Sequence, residues 1–269
     1  MNQTSSPDIP EHTRITPRLY ESMCALRNLL EKAIEHPDEG YVFSLESLLP
    51  EERSYLVELL GEGEISGKVL SAGSGKEDKT IHVRESNYPG LWLLGTIPPG
   101  GYPEGVTLSA IEVGRSPGIL RRKPEGATGL VPEETFEGPF KHLFPLLMNA
   151  RPLLGELAWH LENYSPEKLA HKIFLNKLPL SEADAEWIDR LLKEDRISLF
   201  SRGYGACHVH STAFPGLWRV IYRNPEGILL LDALCVTEVP EEIAATGEDM
   251  ADGLLQYKEF LEWIASDLS

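Results

Sequence analysis

Residues 59–120 and 191–243 are two copies of one unit, and any fold this chain adopts has to accommodate that duplication. Leu59-Leu60-Gly61-Glu62-Gly63-Glu64-Ile65-Ser66 aligns with Leu191-Leu192-Lys193-Glu194-Asp195-Arg196-Ile197-Ser198, and His82-Val83 aligns with His208-Val209. Tyr88-Pro89-Gly90-Leu91-Trp92 matches Phe214-Pro215-Gly216-Leu217-Trp218. A last block, Ala110-Ile111-Glu112-Val113 with Pro117, matches Ala233-Leu234-Cys235-Val236 with Pro240. The offset between copies falls from 132 to 126 to 123, so the first copy is nine residues longer, in two places. Length changes confined to the stretches between matching blocks are what loops of a duplicated unit tolerate.

Within each copy, short β-rich runs follow a helical one. The first copy reads as strands over 64–71, 80–85, 91–96 and 107–113, separated by a Gly73–Lys76 turn and a Pro98–Gly105 loop. The second reads as strands over 197–201, 206–211, 217–223 and 228–236, with Asn224-Pro225-Glu226-Gly227 a turn sequence. Ahead of them, apolar residues at helical spacing predict helices over 19–36 and 44–60, the latter closed by Gly61. Residues 115–140 read as linker, and helices over 142–148, 153–161, 166–174 and 182–192 form a bridge, the last capped by Ser181. A final amphipathic helix spans 250–268. The expected fold is α+β: two tandem structurally similar units, each a helix packed on an antiparallel β-meander, with a helical bridge and a C-terminal helix. The boundaries are 1–43 for an N-terminal extension with one helix, 44–120 for repeat unit 1, 121–180 for linker and bridge, and 181–269 for repeat unit 2 with the C-terminal helix.

Charge and cysteine usage narrow the function classes. The net charge is −17 over 269 residues, so a phosphate backbone is repelled and nucleic acid is not an expected partner. Between Glu238 and Ser269 nine acidic side chains face one lysine, Lys258; the compact basic stretch is Arg115 to Lys123. That acidic stretch serves solubility or steers a basic partner segment, and charge alone does not choose. No apolar run reaches the ~18–20 residues of a membrane helix, so no membrane insertion is expected. Met1–Pro10 lacks the basic and apolar regions of a signal peptide. Cys24, Cys207 and Cys235 are scattered and form no disulfide framework, which fits a reduced cytoplasmic setting.

The motifs that could carry chemistry are few. Gly203-Tyr204-Gly205 lacks the third glycine and following helix of a dinucleotide fingerprint, and Gly73-Ser74-Gly75-Lys76 lacks the spacing of a phosphate loop. There is no nucleophile elbow. In Cys207-His208-Val209-His210, strand periodicity points both imidazoles to one face and turns Cys207 and Val209 to the other. His208 and His210 could hold nickel or zinc if a third ligand arrived from elsewhere; otherwise they are a histidine pair on a sheet. The expected reading is no bound metal. Glu62, Glu64 and Glu85 read as a solvated acidic rim rather than a catalytic pair. Trp92 and Trp218, each delivered by Pro-Gly-Leu, are either core residues or exposed anchors for a partner. Candidate partner-binding residues are Glu62, Glu64, Glu85, Trp92, Tyr204, Trp218, Glu248 and Asp249, with no catalytic residue.

On these residues the chain resembles the HupH/HyaF family of hydrogenase expression/formation proteins, accessory proteins encoded with nickel–iron uptake hydrogenases. The likeness rests on Leu59-Leu60-Gly61-Glu62-Gly63-Glu64-Ile65, the twin Pro-Gly-Leu-Trp blocks, and Gly203-Tyr204-Gly205 with Cys207, Val209, Ser211 and Thr212. It continues through Val239-Pro240-Glu241, Ala244-Ala245 and Glu248-Asp249, covering roughly residues 45–255. Two departures stand out: Lys193-Glu194-Asp195 replaces the Gly-x-Gly of the first copy, and Cys235 stands where the first copy has Glu112. The resemblance implies a non-catalytic maturation chaperone without a resident cofactor, although transient nickel or iron–sulfur cargo stays open. Its implied partners are a hydrogenase precursor subunit, the small iron–sulfur subunit ahead of the large, and other maturation factors. Because that small subunit carries a basic twin-arginine signal, the acidic C-terminal stretch could attract it. The alternative is a metal-handling protein or enzyme that uses His208 and His210.

Overall fold

A computed structural model describes residues 15–71, 79–96, 107–131, 140–202 and 206–267. It is an α+β protein in which one order of elements occurs twice. The first passage is α1 (Pro17–Glu35), β1 (Tyr41–Phe43), α2 (Pro50–Leu60), β2 (Ile65–Ser71), β3 (Lys79–Glu85), β4 (Leu91–Thr96) and β5 (Thr107–Val113). The second is α3 (Ala150–Glu162), β6 (His171–Phe174), α4 (Glu182–Leu191), β7 (Ile197–Ser201), β8 (Ala206–Ser211), β9 (Leu217–Arg223) and β10 (Leu229–Val236), and α5 (Gly247–Asp267) follows. By compactness the chain divides into two units. One is built from residues within Met1–Gly63, His82–Pro117 and Ala245–Ser269, the other from residues within Glu64–Ile81 and Gly118–Ala244.

The first unit orders its strands β1-β5-β4-β3. Thr16 caps α1 by accepting from Leu19 N–H, and Pro17 at its first position presets the helical φ. Its Leu19, Met23, Leu26 and Leu30 then recur every three to four residues and are all buried. α5 supplies the facing stripe with Met250, Tyr257, Leu261 and Ile264, and Tyr257 Oη donates to Met23 O at 3.2 Å. Each such leucine, fully buried, contributes about 1.5–3 kcal/mol. The C-terminal helix, expected with the second repeat, therefore completes the core of the unit that holds α1.

In the second unit the strand order is β2-β7-β8-β9-β10-β6. Its core gathers Leu154, Leu157 and Leu161 of α3, Trp187 and Ile188 of α4, and Leu217, Leu234 and Val236 of the sheet. Phe140 meets Trp187 edge-on at 4.7 Å between centroids.

The duplication reaches further back than residue 59. β1 pairs with β5 through Tyr41↔Val113 and Phe43↔Ile111, and β6 pairs with β10 through His171↔Val236 and Ile173↔Leu234. Val113 and Val236 are themselves counterparts, as are Ile111 and Leu234, so the two edge strands are equivalent. Two expectations change accordingly. Residues 166–174 hold strand β6 rather than a helix, and the segment read as linker and bridge contains α3 and β6, the opening elements of the second repeat. A three- or four-residue edge strand is too short to show alternation, and a partner some 60–70 residues away decides it. The second helix starts at Pro50 rather than residue 44, and Lys141–Leu146 forms a 3-10 helix.

The tryptophan turns are duplicated bond for bond. Gly90 and Gly216 adopt φ of 89° and 77°, a left-handed conformation that favours glycine. Leu91 N–H donates to Tyr88 O at 3.1 Å and Leu217 N–H to Phe214 O at 3.0 Å, while Ser86 Oγ and Thr212 Oγ1 brace the two turns. Trp92 Nε1 donates to Gly114 O at 2.9 Å, and Trp218 Nε1 to Thr237 O at 3.1 Å.

Candidate functional site

Three counterpart positions hold the groups that could do chemistry, and only the last of them differs between the repeats. In the first they are Glu62, His82 and Arg84; in the second, Glu194, His208 and His210. Glu62 and Glu194 follow α2 and α4, and the other two lie on β3 and β8, separated by one residue and so on one face of their strand. In the first repeat Arg84 NH1 stands 3.6 Å from Glu62 Oε1. In the second no guanidinium among the described residues fills that role. Glu194 Oε2 lies 3.2 Å from His208 Nε2, and Ser198 Oγ bridges them, 3.1 Å from the carboxylate and 3.0 Å from the imidazole. The rings of His208 and His210 are 5.1 Å apart, and one ligand atom from each of Glu194, His208 and His210 falls within 4.8 Å of the others.

Their environments disfavour the charged form of both imidazoles. Burial, the neighbouring His208 and the Arg219 guanidinium push His210 down to about 4. His208 is lowered by burial, an effect that Glu194 opposes. His210 is buried, and its Nδ1 has no hydrogen-bond partner among the described residues. Arg219 itself is neutralised by Asp232, at 2.6–2.8 Å, and by Asp189 at 2.6 Å.

The other residues singled out by sequence fall in varied surroundings. Glu62 and Glu64 are exposed, whereas Glu85 is 7% exposed, so the three do not form one solvated rim. Trp92 and Trp218 are both 0% exposed, which selects the core reading and removes them as surface anchors in this structure. Tyr204 lies outside the described residues. Glu248 and Asp249 are exposed in the first turn of α5, where Asp249 Oδ2 accepts from Thr246 Oγ1 at 2.6 Å and Thr246 N–H at 3.2 Å. Burial pushes the Cys207 thiol up to about 11 and Cys235 to about 12, so neither is an activated nucleophile.

A second cluster went unread in the sequence. His171 Nε2 lies 2.9 Å from Glu156 Oε1, and the rings of His160 and His171 stack at 3.4 Å. Glu156 and His160, one turn apart on α3, were a visible signal. His171 was not, because it sits on the edge strand read as helix.

Comparison with known proteins follows the same lines. Residues 147–264 match the model of the HupH hydrogenase expression protein C-terminal conserved region. The chain is 30% identical to the hydrogenase expression/formation protein HoxQ of Cupriavidus necator, over 99% of this chain and 89% of that one. It is 29% identical to the hydrogenase expression/formation protein HupH of Rhodobacter capsulatus, covering 96% and 85%. It is also 28% identical to the hydrogenase-1 operon protein HyaF of Escherichia coli, covering 90% and 81%. A solved structure, the hydrogenase expression protein HupH from Thiobacillus denitrificans, is 33% identical, covering 42% of this chain and 95% of that one with a TM-score of 0.39.

Proposed function

The chain belongs to the HupH/HyaF family of hydrogenase expression/formation proteins, and from that premise we propose that it is a non-catalytic accessory protein in maturation of a nickel–iron uptake hydrogenase. The observation that carries the reading is 30% identity along nearly the whole chain to a protein named for hydrogenase expression/formation. Two features support it. Burial holds the Cys207 and Cys235 thiols in their unreactive protonated form, and no helix among the described residues is long and apolar enough to cross a membrane.

The client is a precursor subunit, the small iron–sulfur subunit first, met in the cytoplasm alongside other maturation factors. α5 offers a surface of matching chemistry. Glu248, Asp252, Glu259 and Glu262 are exposed on it, and Leu255 and Trp263 remain 58% and 45% exposed among them. An acidic face with apolar inserts fits a segment that joins basic residues to apolar ones, as an export signal does.

Purified precursor small and large subunits, mixed separately with this protein, test the reading. Retention of one precursor and not its mature form is the expected result, weakening steeply between low and physiological salt. Failure to retain either precursor in low salt without oxygen would overturn it.

A further inference from the structure

We propose that Glu194, His208 and His210 form a binding site for a late first-row divalent cation of the zinc or nickel type. The inference goes beyond the accessory role and does not depend on it, since it rests on the geometry of one strand and one loop.

Three observations converge. The donor set, two imidazoles and one carboxylate, is that of borderline divalent ions. The buried Nδ1 of His210 has no partner among the described residues, although an unmatched buried nitrogen costs about 1–3 kcal/mol. Finally, the first repeat places the Arg84 guanidinium at the counterpart of His210, so its acid already has a built-in cation. The second repeat has exchanged that cation for a ligand.

Donors about 2.0–2.2 Å from a shared tetrahedral ion stand ~3.3 Å apart, so closing the present spacing takes side-chain shifts of ~1 Å. Glu194, 39% exposed on its loop, and His208, 27% exposed, have that freedom, while buried His210 is the fixed point. Ser198 orients both movable ligands. With three protein donors, a fourth position stays open to solvent or to a donor from a partner. The cluster of Glu156, His160 and His171 is the weaker candidate. None of its nitrogens is a buried orphan among the described residues.

The test is calorimetric titration of the full, chelator-treated chain with Zn²⁺ and, separately, Ni²⁺. One equivalent should bind, and His208→Ala and Glu194→Gln, both altering partly exposed side chains, should each weaken binding at least about tenfold. His171→Ala should leave it unchanged. Absence of binding by the folded chain, or binding lost in His171→Ala but kept in His208→Ala, overturns the proposal. Circular dichroism of each variant separates loss of a ligand from loss of fold.

Discussion

In the first repeat the acid that follows the helix, Glu62, faces a permanent cation, Arg84; in the second its counterpart, Glu194, faces two imidazoles. Around this difference the repeats keep the same edge strand, glycine turn and tryptophan bond to a backbone carbonyl. A duplicated framework that holds its turns constant while exchanging one surface cation for a histidine separates what the fold requires from what one copy alone carries. A second pair makes the same point from the structural side. Glu52 and Asp184 are counterparts, each third in its helix, and each closes that helix by accepting from the N–H at the cap, Leu49 or Ser181. Each carboxylate then reaches a preceding helix. Glu52 takes Thr16 Oγ1 at 2.6 Å and Arg18, whereas Asp184 takes the backbone N–H groups of Met148, Asn149 and Ala150 at 2.9–3.1 Å.

The strictest test of equivalence uses the tryptophans. Trp92→Ala and Trp218→Ala should each cost about 3–5 kcal/mol in denaturant unfolding. A difference between them above about 2 kcal/mol would show that the two turns do unequal work. Next, Asp184→Ala should be the more damaging of the capping lesions, by about 2–4 kcal/mol, since it strands three backbone donors, one of them buried. Glu52→Gln should cost less, because Arg18 and Thr16 can turn to water, but it should reshape the acid limb. The Thr16, Leu49 and Arg18 donors hold the Glu52 carboxyl down to about 2, against ~4.3 in an unfolded chain. Its stabilisation is thus complete above ~4.3 and lost as pH falls toward 2. Stability measured from pH 5 to 2 should fall less steeply in Glu52→Gln than in the parent, and an unchanged slope would remove Glu52 from the acid response. The smallest effect on stability is expected of Arg84→His, an exchange at a one-third exposed side chain. It gives the first repeat the donor set of the second, so the variant should take up a second equivalent of Zn²⁺. Unchanged stoichiometry would mean that the orphaned nitrogen of His210, and not the donor set, makes the site.

Much of the fold was legible because strands bounded by glycine and proline turns announce themselves locally. The strands read at 91–96, 107–113, 197–201, 206–211 and 217–223 are the ones the structure holds. Family membership was legible too, in blocks of residues whose order a duplication preserved. What escaped depends on distant partners. β1 and β6 are strands only because β5 and β10 pair with them, and so α3 and β6 read from sequence as a bridge. α5 reads as amphipathic from sequence, but its stripe does not say which unit it covers. In the site, His208 and His210 were found from strand period, whereas Glu194 was noticed only as the counterpart of Glu62. Its approach to His208 is set by the return of the chain from α4 into β7, which no spacing rule encodes. The burial of Glu85 escaped for the same reason.

The hydrogen bond from Tyr257 to Met23 spans 234 residues, and that separation matters for the order in which the protein is made. At ~5–20 residues per second a ribosome takes ~10–50 s to go from one to the other. Throughout that interval α1 exists without the helix that covers its apolar stripe, while every residue of the other compact unit is synthesised before α5 begins. The earliest of the described helices thus waits for the latest to complete its core, and nascent chains stalled short of residue 250 carry a sticky, half-built layer that general chaperones are suited to hold.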